Sequence, residues 1–374
     1  MNTRRAAAAA VAFALLGLTA CGLPATAGNP AAPATTPSAS SASSPAPDGP
    51  SASPAGADPA ELIRTGWPRL VAGPAATLIT YALPDVSDPA WALYDPSGAR
   101  IAQGLQALTV NPVGNSFLVV GAGDDELAMS PVVLVDADGR VRSVEVELPE
   151  VLPQPGDVPY LGNEWFGVYR PSDGVVHPVS GRYGEGVVVQ PGTSWRNYTG
   201  DTLDHSGDAG KTWREAPIPW RAVELPTVDR PYLVTSDSLI VQALEYRAKV
   251  GGSKYRLLKR PVTRAVYVHA LDGSGTWRRV ELPRTTRGTV WVTELSDHRL
   301  LVGIPAGDEP LGLARTLWIA DARLTTFTRL TTTLTDPTAT YSGSGDRLLA
   351  VTGGASGPLQ VSADLGKTWA PLER

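Results

Sequence analysis

The chain has one cysteine in 374 residues, and only two methionines, four phenylalanines and four histidines. A lone cysteine excludes any intramolecular disulfide, so the fold must hold itself together by packing and hydrogen bonding. None of His177, His205, His269 and His298 is paired with another at metal-ligand spacing, and no cysteine is there to assist them. Cations are also short: 32 Lys and Arg face 37 Asp and Glu, for a net charge of −5. That balance excludes the basic face a nucleic-acid partner needs, and with it a second, electrostatic contact with a membrane. Of the cations 27 are Arg and five Lys, a bias of genome composition that carries no functional meaning. No apolar run reaches the roughly 20 residues that a spanning helix requires. Helical periodicity is scarce as well. Only Leu239–Arg247 fits a helix, and it fits a strand equally well.

The longest uncharged apolar stretch is Ala6–Ala20, 15 residues behind Arg4 and Arg5. A positive start, a short apolar core and small residues at its end make a secretory signal. Leu18-Thr19-Ala20-Cys21 resembles the bacterial lipobox, and the resemblance implies cleavage before Cys21 and a diacylglyceryl thioether on it. Lipid would remove an exported free thiol, and two acyl chains suffice for stable anchoring. Loss of residues 1–20 takes the charge to −7. Residues 21–60 follow as almost only Ala, Pro, Ser, Thr and Gly, with Asp48 and Asp58 the sole charges. Nothing there can be buried, so a disordered spacer is expected, about 35 Å long as a coil and at most about 120 Å extended.

The remaining head, residues 61–374, exceeds the ~250–300 residues a single core supports, unless it grows by repeats. Its short β-branched and aromatic runs are punctuated by Gly, Asp and Pro, which predicts an all-β protein of hairpins. Turns centred on Asp95, Asp136, Asp173, Asp208, Asp272, Asp321 and Asp364 recur at intervals of 41, 37, 35, 64, 49 and 43 residues. Most intervals sit near the ~40–50 residues of a four-stranded propeller blade. The long one is explained by an extended, basic hairpin at Arg247–Arg260. Strands near Leu62–Val71 and Thr77–Ala82 would open blade one, beside the last blade. Seven hairpins predict a seven-bladed β-propeller; six blades is the alternative, because the Asp173 unit lacks a clear third strand.

Two units read S-x-D-x-G-K-T-W: Ser206, Asp208, Gly210, Thr212 and Trp213, and again Ser362, Asp364, Gly366, Thr368 and Trp369. Asp272 to Trp277 is a worn copy. The pattern resembles the Asp-box, or bacterial neuraminidase repeat. In that family the box joins the third and fourth strands of a blade and is structural, so these residues are expected to hold backbone. The chemistry agrees: Asp accepts turn amides, Gly takes a positive φ, and Trp packs back over the turn.

Other motifs fail on spacing. Gly210-Lys211-Thr212 and Gly366-Lys367-Thr368 lack the earlier glycine of a P-loop, having His205 and Val361 in its place. His205 among Asp201, Asp204 and Asp208, and Asp136 with Asp138, are fragments of a calcium loop that read better as turns. Asp124-Asp125-Glu126 reads as a solvated loop, and no G-x-S-x-G nucleophile elbow occurs. Trp91, Trp291 and Trp318 lie in strands as blade packing.

The Asp-box resemblance raises one enzyme, a sialidase, in which arginines grip a carboxylate and a Glu activates a Tyr nucleophile. The nearest counterparts are Tyr169-Arg170-Pro171, Arg247, Arg315 and the dipeptide Glu245-Tyr246. Tyr169-Arg170-Pro171 lacks the Ile and lies near the third hairpin, where the family has its motif in the first blade. The catalytic set is incomplete, so no residue is expected to be catalytic and no cofactor or metal is expected. The sequence therefore reads as a lipid-anchored, extracytoplasmic propeller with a monomeric head. It would be a binding or assembly module presenting one face to a protein or glycan, with an exo-glycosidase of the sialidase type as the alternative.

Overall fold

The computed structural model describes residues 58–374, apart from scattered positions and the stretches 84–88, 122–130, 162–165, 180–187, 198–201 and 221–232. The chain divides into two compact units, Met1–Ala55 and Gly56–Arg374. The first unit, with the signal-like segment, Cys21 and most of the spacer, lies outside the described residues, as does the Asp124–Glu126 cluster.

The described chain opens with a two-turn helix, α1 (Pro59–Thr65). Asp58 caps it by accepting the Ala60 amide at 2.9 Å, Pro59 sits in the first turn where its missing N–H costs nothing, and Arg64 lies in the last. Leu62–Thr65 is thus helical where a strand was expected. The reason is local: a cap, a proline and a glycine stop at Gly66 bracket too few residues for any periodicity to show.

Seven antiparallel sheets follow. The first holds β1 (Trp67–Ala72), β2 (Thr77–Ala82), β3 (Ala90–Tyr94) and β4 (Arg100–Gly104). The second holds β5 (Thr109–Val113), β6 (Ser116–Val120), β7 (Val132–Asp136) and β8 (Val141–Ser143). The third has three strands, β9 (Val158–Leu161), β10 (Phe166–Arg170) and β11 (Val175–Pro178). The fourth holds β12 (Val188–Gln190), β13 (Thr193–Asn197), β14 (Thr202–Ser206) and β15 (Arg214–Pro217). The fifth holds β16 (Leu233–Val234), β17 (Ser238–Gly251), β18 (Lys254–Ala270) and β19 (Arg278–Val280). The sixth holds β20 (Trp291–Glu294), β21 (Leu300–Ile304), β22 (Thr316–Ala320) and β23 (Phe327–Leu330). The seventh holds β24 (Thr340–Ser344), β25 (Arg347–Val351), β26 (Leu359–Ser362) and β27 (Ala370–Leu372). In every sheet the spatial order is the chain order. Leu239–Arg247 is strand, inside β17, and β17 and β18 run on together as a long hairpin.

Seven hydrophobic clusters, one at each junction between consecutive sheets, close the sheets into a ring. Trp91 meets Phe117 between the first and second sheets, and Leu118 meets Tyr169 between the second and third. Val168 and Trp213 join the third and fourth, and Trp195 and Tyr267 the fourth and fifth. Ile240 and Val302 join the fifth and sixth, Leu301 and Tyr341 the sixth and seventh, and Leu349 and Ile79 the seventh and first. The fold is therefore a seven-bladed β-propeller. Middle strands are covered on both faces: in β21, Leu300, Val302 and Ile304 face one neighbour while Leu301 faces the other. That explains why such strands are apolar throughout instead of alternating.

Ring closure uses no shared sheet. The last blade meets the first through the seventh cluster, in which Leu62 and Ile63 of α1 take part. The Arg374 guanidinium bolts this seam by donating to Ile63 O (3.1 Å), Gly66 O (2.7 Å) and Gly357 O (2.6 Å). Arg347 reaches across to Ala76 O (3.2 Å) and the Thr77 hydroxyl (2.6 Å). At this seam, amides on the inner edge of β1 are satisfied by hydroxyls of the preceding blade, and a similar contact joins the sixth blade to the seventh. Leu70 and Ala72 amides donate to Ser342 Oγ (3.2 Å) and Ser344 Oγ (3.0 Å), and the Gly345 amide to Thr293 Oγ1 (2.9 Å). These open amides are thus blunted without an extra strand.

The third blade departs from the expected pattern. Six of the seven aspartate turns join a third to a fourth strand, but the Asp173 turn joins β10 to β11, the second to the third. Antiparallel alternation places such a turn at the opposite end of its sheet. The outer edge of β11 is covered instead by the incoming connection, which runs parallel to it. The Glu147 amide donates to Val176 O, the Val176 amide to Glu145 O and the Val151 amide to Pro178 O, each at 2.9 Å.

Candidate functional site

The two S-x-D-x-G-K-T-W turns are built alike. Ser206 Oγ donates to Asp208 Oδ1 (2.8 Å) and accepts the Gly210 amide (2.8 Å). Asp208 also takes the Thr212 amide (2.8 Å) and hydroxyl (2.6 Å). Around Asp364 the corresponding distances are 2.7, 2.7, 2.9 and 2.7 Å. Gly210 and Gly366 have φ of 77° and 85°, where a side chain would be strained. The Thr212 and Thr368 hydroxyls and amides, with the Ser206 and Ser362 hydroxyls, hold both carboxyls well below the usual carboxylate range. Asp272 accepts the Ser274 amide (2.8 Å), and Asp95 accepts those of Ser97 (2.8 Å) and Ala99 (3.1 Å).

Trp369 packs back against Gly366 of its turn, and all three tryptophans also reach beyond the turns. Trp213, Trp277 and Trp369 each enter the cluster shared with the preceding blade. Trp277 Nε1 donates to Ala216 O (2.9 Å), and the Arg196 guanidinium lies 4.3 Å over the Trp213 ring. The motif is thus a seam device as well as a turn device.

A cavity of about 600 Å³ opens between the innermost strands, lined from β1, β5, β16, β17, β20 and β24 and by residues beside them. Its wall mixes aliphatic surface with hydroxyls and amides, several of which are committed, while Thr109 Oγ1 has no partner. Ser342, Ser344 and Thr293 serve the edge amides, and Gln242 bridges Val290 O (2.7 Å) and the Thr263 hydroxyl (2.8 Å). Among the described lining residues there is no carboxylate, histidine, cysteine, lysine or tyrosine. One charge is present, Arg69 on β1. It is exposed to the cavity yet ringed by protein, and this desolvation lowers its pKa. Among the described residues it makes no hydrogen bond or ion pair, and a Cβ added at Gly312 would fall 3.6 Å from its aliphatic stem.

The residues suggested for a sialidase site are not gathered there. Arg170 is held bidentately by Asp157 (3.0 and 2.9 Å), Arg315 pairs with Glu309 (3.4 Å) and Glu245 with Arg264. These lie in three different blades, and none lines the cavity. The side chains of Tyr246 and Arg247 lie outside the described residues. Of the group around His205, Asp201 lies outside the described residues; Asp204 pairs with Arg196 (2.9 Å), while His205 Nε2 meets the Thr193 hydroxyl (2.8 Å) and its ring lies 4.8 Å from Trp195. Asp136 accepts Ser116 Oγ (2.8 Å), and Asp138 the Arg140 amide (3.1 Å). Arg69 was invisible to sequence reasoning. Its only signal is a lone charge within the short apolar strand Trp-Pro-Arg-Leu-Val-Ala.

No protein-family model matches the chain, and no curated protein does. Solved structures similar to it include BamB from Moraxella catarrhalis, at 11% identity and TM-score 0.38, covering 77% of this chain and 79% of that one. The computationally designed Ika8 protein is similar at 9% identity and TM-score 0.43, covering 82% and 86%. YCF48 from Cyanidioschyzon merolae is similar at 12% identity and TM-score 0.30, covering 82% and 88%. Likenesses this distant say nothing of activity, and the fold rests on the sheet order and the seven clusters.

Proposed function

We propose that the protein is a membrane-tethered binding module that receives a partner at the axial cavity of its propeller. The observation that carries this is the cavity lining: among the described residues it offers one cation, hydroxyls and aliphatic surface, and no acid and base pair to move a proton. A concave, mostly apolar site with few polar groups is the general form of a binding site, and 600 Å³ falls within the usual ~300–1,000 Å³. The S-x-D-x-G-K-T-W turns, which resemble Asp-boxes, are scaffold in this reading, because their carboxylates are consumed by backbone and hydroxyl donors. The lipobox-like Cys21 supplies the anchor on the outer face of the cell membrane, and residues 22–57 the spacer.

A photo-crosslinking residue placed at Asn111, in the cavity, is expected to give a discrete adduct in cells, whereas one at Arg142 on the outer strand gives none. Adducts from both positions alike, or from neither, would refute binding at the cavity. Hydrolysis of a fluorogenic sialoside by the intact chain, lost in Arg170→Ala, would establish the glycosidase instead. Cys21→Ser is expected to move the chain from the membrane to the soluble fraction. Retention in the membrane would remove the lipid anchor from the proposal.

A further inference from the structure

We propose that the cavity selects a ligand carrying a single carboxylate on an apolar body, with Arg69 as the group that receives it. The proposal rests on the cavity being the binding site and names the chemistry that site takes. A guanidinium set in a concave wall attracts an anion more strongly than one in open water, because the surrounding protein lowers the local dielectric. The Arg69 cation lines the cavity and is exposed there, and no described carboxylate, carbonyl or hydroxyl bonds it. An anion entering the cavity supplies the missing partner, and the planar fork of an arginine matches a carboxylate through two parallel hydrogen bonds.

The same balance limits the anion's charge. With one cation and no other charged group in the described lining, a monoanion leaves the cavity neutral, while a dianion such as phosphate leaves a buried negative charge unmatched. The rest of the wall fixes the remainder of the ligand. Val71, Val110 and Val292 present aliphatic surface, and the hydroxyls of Ser342, Ser344 and Thr293 are taken up by backbone amides, while Thr109 Oγ1 is left to meet a polar atom of the ligand. A polar body would find few partners there, whereas an apolar one gains by leaving water. A medium-chain fatty acid and the C-terminus of an apolar peptide share this chemistry.

Calorimetric titration of the intact chain separates the sources and tests the idea. The probes are octanoate, octanamide, an acetylated Ala-Val-Leu peptide as free acid and as C-terminal amide, and inorganic phosphate. At least one free acid is expected to bind, its amide about 10- to 100-fold more weakly, the equivalent of losing a charge-assisted pair, and phosphate not at all. Which free acid binds tells a lipid-like ligand from a peptide end. Arg69→Met keeps the stem and removes the fork, and is expected to bring the acid down to the level of its amide. Arg69→Lys restores charge without the bidentate geometry and falls between. Unchanged thermal unfolding and near-ultraviolet dichroism of both variants exclude misfolding as the cause. Equal binding of acid and amide, or an unaffected Arg69→Met, overturns the carboxylate assignment and leaves the cavity as a binding site. Absence of binding by every probe overturns the ligand class, while a crosslink confined to Asn111 would still uphold the site.

Discussion

Replacing Arg374 by methionine tests how the ring is shut. The substitution keeps an unbranched stem beside the seventh cluster and deletes the donors that reach Ile63 O, Gly66 O and Gly357 O at 2.6 to 3.1 Å. Hydrogen bonds to a charged group contribute about 1.5–3 kcal/mol each. Three on one guanidinium do not add fully, because a single desolvation cost is shared and the group is half-buried. Burial already lowers its pKa. A loss of about 2–4 kcal/mol follows. For a unit of this size that is a fall in Tm of about 4–8 °C. The measurement is urea denaturation followed by tryptophan fluorescence, with Arg299→Met as the control. Arg299 pairs only with Asp297, both about half exposed, so its loss should cost no more than about 0.5 kcal/mol. If Arg374→Met matched the control, the seam would be held by apolar contact alone and the role given to the final residue would be wrong.

Other consequences can be checked independently. Trp277→Ala empties a buried position between the fourth and fifth blades and strands Ala216 O; it is expected to cost about 3–5 kcal/mol in urea denaturation, against near neutrality if the turn stood alone. Gly303 lies under Trp291, and an added Cβ would clash with that ring, so Gly303→Ala should cost about 1–3 kcal/mol and alter near-ultraviolet dichroism. Asp208 and Asp364 titrate below their unfolded values, so the unfolded chain binds protons first on acidification. Their stabilisation is complete above about pH 4 and is lost progressively below it, and the Asp208→Asn, Asp364→Asn double variant should flatten that acid slope. His205 is held below its ordinary value by desolvation and by nearby His269, against the pull of Asp272. Stability should therefore fall as pH drops through about 6.5, and His205→Gln should remove that slope in melts between pH 7 and 5.

Much of the scaffold was written locally. Turn chemistry at Asp95, Asp136, Asp208, Asp272, Asp321 and Asp364 marks one end of six blades, and runs such as Leu300–Ile304 are apolar throughout because a blade covers each face. Where local chemistry is ambiguous, the sequence says less. An Asp-Gly turn at 173 and 174 does not record which pair of strands it joins, and nothing in residues 145–151 announces a parallel outer strand. The helix at Pro59–Thr65 is too short to carry a period. The site is harder still to read. Arg69 is one of 27 arginines, and its isolation exists only once strands from the first, second, fifth, sixth and seventh blades surround it.

The Nε–Hε signal of Arg69, assigned through Arg69→Lys in a ¹⁵N-labelled sample, reports directly on the group that defines the cavity. On titration with the free acid that binds, this signal is expected to shift with saturation, while those of Arg170 and Arg374, already bonded to protein, stay in place. A stationary Arg69 signal, or one that moves equally with inorganic phosphate, would contradict the reading of the axial cavity as a monocarboxylate site.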